Sequence, residues 1–130
     1  MHKNYLAIAA FSGALGVGLG AFGAHELQSL TSDEKILHGF QTAVQYQLYH
    51  AIVLLAVGIL YEKYDSPRLK WAATCFITGI ILFSGSLYAL TFFKLQGSSL
   101  AEIAGPVTPV GGLFLIAGWL FLLLAVLKQK

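Results

Sequence analysis

The sequence predicts an all-α polytopic membrane protein, built as a bundle of four antiparallel transmembrane helices. Three observations carry that expectation. Hydrophobic residues make up 57% of the 130-residue chain and charged residues only 11%. A soluble domain carries about a quarter charged residues, so this chain lacks the charge to cover a water-facing surface. Its mean hydropathy is +0.73. Four stretches, at 5–24, 42–60, 71–93 and 107–127, contain no Asp, Glu, Lys or Arg. Each is close to the roughly 20 residues that a helix needs to cross a bilayer core of about 30 Å. These lengths suit helices rather than barrel strands, and a helix satisfies its own backbone hydrogen bonds in lipid. One domain over residues 1–130 is expected.

The first span follows Lys3 and ends in the small residues Ala21, Gly23 and Ala24, an imitation of a cleaved signal peptide. The apolar run is long for such a peptide, so a retained helix is expected. Before the second span, Thr31 to Lys35 reads as a helix start with Ser32 or Asp33 as cap. That helix would run to Leu60, about 40 Å at 1.5 Å per residue, longer than the bilayer core. Ser66-Pro67 sets a turn before the third span. After it come Gln96, Gly97, Ser98 and Ser99, then Gly105-Pro106 and Thr108-Pro109. Proline is tolerated in the first turn of a helix, so the fourth helix should start near Pro106 or Pro109, with Thr108 as a candidate cap.

Orientation follows from Lys and Arg. The N-terminus, second loop and C-terminus hold six of them and the other two loops hold two. Both termini are therefore expected on the cytoplasmic side, in a bacterial inner membrane. Tyr5, Tyr61, Tyr64 and Trp71 sit near span ends, where aromatic belts form. A net charge of +2 is too small to point to nucleic acid. The expected partners are the lipid bilayer and, within it, further copies of this chain or other membrane proteins. Cys75 is the lone cysteine, so no disulfide within the chain and no cysteine-based metal site can form.

Small residues outline packing faces. Ala9, Gly13, Gly16, Gly20 and Gly23 fall on one side of the first helix, and Gly111 and Gly118 on one side of the fourth. Such residues let helix backbones approach closely in lipid. The first helix is expected to lay its glycine face against the second and fourth.

The second span carries the polar groups. His38, Thr42, Gln45 and Tyr49 form a stripe, Tyr46 and His50 an adjacent row, and Gln41 lies one turn from Gln45. His25 ends the first span, and the third span adds Ser84 and Ser86. Polar residues at membrane depth are expensive and usually face the bundle interior. Three roles compete for His25, Gln41, Gln45, Tyr46, Tyr49, His50, Ser84 and Ser86. They can be interhelical hydrogen-bond glue, or the lining of a polar pocket or path, or, through His25 and His50, ligands of a metal or haem. The last lacks the third or fourth ligand that zinc usually wants. No cofactor and no catalytic residue is expected. Gly16 to Gly20 imitates a glycine-rich phosphate loop but lies inside an apolar run with no strand before it.

Four blocks in order resemble a known family: Gly20 to His25, Gln41 to His50, Phe83 to Tyr88, and Thr108 to Gly112. Together they are similar to the small membrane proteins of domain-of-unknown-function family 423, over nearly the whole chain. The resemblance implies a polytopic membrane protein and brings no activity. The expected function is that of a non-enzymatic structural or accessory membrane subunit, with a small oligomeric transporter or channel as the alternative.

Overall fold

The computed structural model describes residues 2–129, and among them every regular element is helical. The first span is α1 (His2–Ala24), extended by the short α2 (Glu26–Leu30). His25 joins the two, its amide donating to the Ala21 carbonyl at 3.2 Å. The second span is α3 (Glu34–Lys63). Asp33 caps it, its carboxylate accepting from the Lys35 amide at 2.9 Å and so satisfying one donor that the first turn leaves free. The third span starts as α4 (Pro67–Gly79), with Pro67 in the first turn where its missing N–H costs nothing. It widens into a π-helical turn over Ile80–Ser84 and continues as α5 (Gly85–Leu95). After α6 (Ala101–Ala104), the fourth span is α7 (Val107–Leu127). These make four helical stretches long and apolar enough to cross a membrane.

The third span ends in a closed motif. Gly97 has φ +66, the left-handed conformation that glycine takes without a Cβ clash. The Ser98 amide donates to Phe93 at 2.8 Å and the Gly97 amide to Lys94 at 3.2 Å, which is the Schellman arrangement. At the fourth helix, Thr108 is not the cap. The helix begins one residue earlier, with Pro106 at the cap position, and the Thr108 hydroxyl turns to Ser86 instead.

Spans adjacent in sequence lie side by side. α1 packs along α3, α3 along the third span, and α4 with the π turn along α7. The expectation that α1 also packs on α7 is corrected: α1 meets α3, and α7 packs chiefly on the third span. The main core joins Tyr5 and Ala9 to Leu54, Val57, Phe76, Leu115 and Ala125. A smaller cluster of Leu27, Phe40 and Val44 closes the other end.

The α1–α3 seam is set by small residues. A Cβ on Gly16 would lie 2.7 Å from Leu48, one on Gly20 3.3 Å from Val44, and one on Gly23 2.7 Å from the Phe40 ring. Gly13 is a correction, because nothing lies within 4 Å of its Cβ position. The packed face passes through Ser12, which is buried. On α7, a Cβ on Gly118 would lie 2.7 Å from the Phe76 ring. One on Gly111 would meet the backbone of the π turn, 2.7 Å from Leu82 C and Phe83 Cα.

Candidate functional site

The polar side chains divide into an inner set and an outer set. Gln47 is the hub of the inner set and is only 3% exposed. Its amide nitrogen donates to the Ser12 carbonyl at 2.8 Å, and its amide oxygen accepts from the Tyr88 hydroxyl at 2.6 Å. One side chain thus ties the first three spans together. Ser84, within the π turn, donates to the Ala43 carbonyl at 2.8 Å. Ser86 and Thr108 share a hydrogen bond between the third and fourth spans.

His50 links the second span to the fourth. The Trp119 indole nitrogen lies 3.1 Å from His50 Nε2. An indole N–H can only donate, so Nε2 accepts and carries no proton. The proton therefore sits on Nδ1, 2.7 Å from the Tyr46 carbonyl that accepts it. The imidazole is neutral with both nitrogens engaged. Phe76 and Trp119 pack against its ring, with centroids at 5.7 and 6.0 Å.

Of the sequence-derived candidates, His50, Ser84 and Ser86 point inward and hydrogen-bond between or within spans. Tyr46 lies over the same region, stacked on Phe83 at 4.6 Å, but its edge is exposed. His25 stands apart, exposed in the turn between α1 and α2. Gly23 of the same turn region meets Phe40, and Phe40 is ten residues from His50 on α3, about 15 Å along the axis. His25 and His50 therefore do not meet, which removes the paired-histidine metal or haem site. Among the described residues no three of His, Cys, Asp and Glu come together.

Gln41, Gln45 and Tyr49 are the larger correction. All three are exposed, Tyr49 to 56%, and they lie on the side of α3 opposite its packed face. Tyr5 and Tyr61 pair edge to face at 5.6 Å and mark one end of the spans. From that level Tyr49 is about 18 Å and Gln45 about 24 Å along α3, inside a hydrocarbon layer about 30 Å thick. An amide placed in hydrocarbon without a hydrogen bond costs about 4–8 kcal/mol. Gln45 and Tyr49 thus face outward at membrane depth without a partner in the bundle, and inside it the buried Ser12 hydroxyl also lacks a hydrogen-bond partner among the described residues.

Sequence reasoning passed over Gln47, Trp119 and Ser12. The signal for Gln47 was present: Ala43, Ala51 and Gly58 are small and buried on the same side of α3, and Gln47 lies among them. Between α1 and the third span a groove of about 360 Å³ opens sideways, walled by Ile8, Phe11, Leu15, Ile77 and Ile81 with Gln47 and Tyr88 at its base. Gln47 and Tyr88 are paired to each other there, while the hydroxyl of Ser12, which also lines the groove, has no hydrogen-bond partner among the described residues.

The family model described as "Protein of unknown function (DUF423)" matches residues 19–112. The chain belongs to this family. A DUF423 relative among the curated proteins is the UPF0382 membrane protein of Schizosaccharomyces pombe, 42% identical over 86% of this chain and 92% of its own. The UPF0382 membrane protein of Staphylococcus haemolyticus is 37% identical over 97% of both chains. UPF0382 membrane protein YwdK of Bacillus subtilis is 38% identical over 97% of this chain and 98% of its own. No solved structure matches this DUF423 chain. The matched residues 19–112 include Gln41 to His50, Ser84, Ser86 and Tyr88, while Ser12 and Trp119 lie outside the match.

Proposed function

We propose that this chain is a non-enzymatic accessory component of its membrane, a rigid four-span unit whose work is lateral contact within the bilayer. One observation carries the reading. Inside the bundle Gln47, Tyr88, His50 and Trp119 are engaged in hydrogen bonds between spans, while Gln45 and Tyr49 face outward at membrane depth and Gln41 one turn beyond. Interior hydrogen bonds hold the spans in fixed register, and the outward stripe gives the unit something to recognise. Among the described residues, the groove beside α1 is walled by apolar side chains rather than by a polar lining. The membrane is the bacterial cytoplasmic membrane and both termini lie inside, as the Lys and Arg distribution favours.

The test is isolation of the full chain in a mild detergent, followed by native mass spectrometry. A chain that travels with defined protein neighbours supports the accessory role. A bare monomer at all concentrations speaks against it. A second reading rests on the same outward amides, which would line a polar path if several copies formed a ring. Proteoliposomes that pass protons, cations or small solutes would favour that reading, and tight vesicles would dismiss it.

A further inference from the structure

The outward stripe of α3 runs through His38, Gln41, Gln45, Tyr49, Ile52, Ala56 and Ile59. At 100° per residue these positions fall within an arc of about 80°, and the buried residues of α3 lie on the opposite side. Gln47 has both halves of its amide engaged inside the bundle. Gln41 and Gln45 are exposed one turn apart, and no hydrogen bond among the described residues reaches them. Ile52 and Ile59 are 66% and 55% exposed, so the stripe passes from amide to aliphatic along a single line.

Lipid tails can cover the isoleucines but cannot hydrogen-bond the amides. The occupant must carry donors and acceptors at the depth of Gln45 and Tyr49. We propose that it is a second copy of this chain, docked about a two-fold axis along the membrane normal, with α3 against α3. Two arguments select a copy over other partners. A copy inserted in the same orientation places its own Gln41, Gln45 and Tyr49 at matching depth. A glutamine amide is also self-complementary, since it offers N–H donors and a carbonyl acceptor. A two-fold contact brings the same patch of both subunits together, so Gln41 meets Gln41 and Gln45 meets Gln45 near the axis. Ala56 leaves room for the helices to approach on the inner side. This rests on the contact-making role proposed above and names the partner for it.

Cross-linking of the full chain in its membrane tests the contact. Cys75 is buried on the third span, so Cys75→Ala provides a background for single cysteines at Gln45, at Tyr49 and, as an outward control, at Phe11 of α1. Oxidation should join Gln45→Cys and Tyr49→Cys chains into dimers and leave Phe11→Cys monomeric. In chains without added cysteines, Gln41→Leu with Gln45→Leu should raise the dimer's dissociation constant about tenfold with the monomer's unfolding midpoint unchanged. Gln45→Asn, which keeps an amide, should preserve the dimer. Equal cross-linking at positions 11 and 45 overturns the proposal, as does a dimer indifferent to the leucine pair. A chain whose Gln45→Cys variant cross-links only to a different polypeptide overturns the two-copy contact and leaves the accessory role standing. A monomer that cross-links to nothing overturns both.

Discussion

Gly111→Ala should be among the most damaging single-methyl additions this chain can suffer. The new Cβ would lie 2.7 Å from Leu82 C and Phe83 Cα, where ordinary contact begins near 3.4 Å. At Gly16 the obstacle is the far end of the Leu48 side chain, which can rotate. At Gly111 the obstacle is main chain, held in the π turn, so α7 itself must retreat. Overpacking of this kind costs about 1–3 kcal/mol. The same retreat stretches the Trp119–His50 bond, now 3.1 Å, and the Ser86–Thr108 bond across the same seam. Interhelical bonds in membranes are worth about 0.6 kcal/mol on average and up to about 1.7, so a loss of roughly 2–4 kcal/mol is expected. Gly13→Ala is the matched control. Its Cβ meets nothing within 4 Å, and alanine is the better helix former by about 1 kcal/mol, so stability should hold or rise. Reversible unfolding in mixed detergent and dodecyl sulfate micelles, followed by circular dichroism, reports both midpoints. If Gly111→Ala unfolds at the wild-type midpoint, the close seam between α7 and the π turn is not there.

Gln47→Leu should destabilise the bundle by about 1–2 kcal/mol, because it orphans the Tyr88 hydroxyl and removes the added bond to the Ser12 carbonyl; Gln45→Leu should leave the same midpoint unmoved. Nitrogen-15 NMR should find His50 neutral with its proton on Nδ1, and Trp119→Phe should change that signal while costing under about 2 kcal/mol; a protonated Nε2 in the wild type would contradict the Trp119 bond. Gly97→Ala should cost about 1–2 kcal/mol, the strain of an L side chain in the left-handed region, read from the same micelle titration; an unchanged midpoint would mean that the Schellman turn does not constrain the third span.

The number and kind of elements were legible because the absence of charge over some twenty residues has few other readings. Asp33 and Pro67 announced two helix starts through local chemistry that operates in any solvent. Which way each helix turns was harder to read. A helix that is apolar all round shows no contrast between its faces, so the rule that polar groups face inward decided the matter, and it sent Gln41, Gln45 and Tyr49 the wrong way. The small residues were the better compass on α3, where Ala43, Ala51 and Gly58 mark the packed side and Gln47 lies with them. On α1 the glycine spacing pointed to Gly13, yet Ser12 occupies the seam, since two positions one residue apart compete for the same register and only the partner helix decides. The π turn had no sequence signal at all.

That turn has a consequence for how the third span tolerates change. A π turn holds one residue more than the straight helix would need, and the surplus rotates everything beyond it. Ser84 reaches Ala43, Ser86 reaches Thr108 and Tyr88 reaches Gln47, each addressed to its neighbour by that single extra step. Substituting any one of them alters one contact. Forcing the same residues into a straight α-helix would swing the distal half of the span by about 100° and misdirect all three at once, whereas losing one residue at the turn would remove the surplus and leave that half facing as it does. In this stretch the surplus residue and the turn that absorbs it belong together: the span can be one residue shorter and straight, or keep its length and widen.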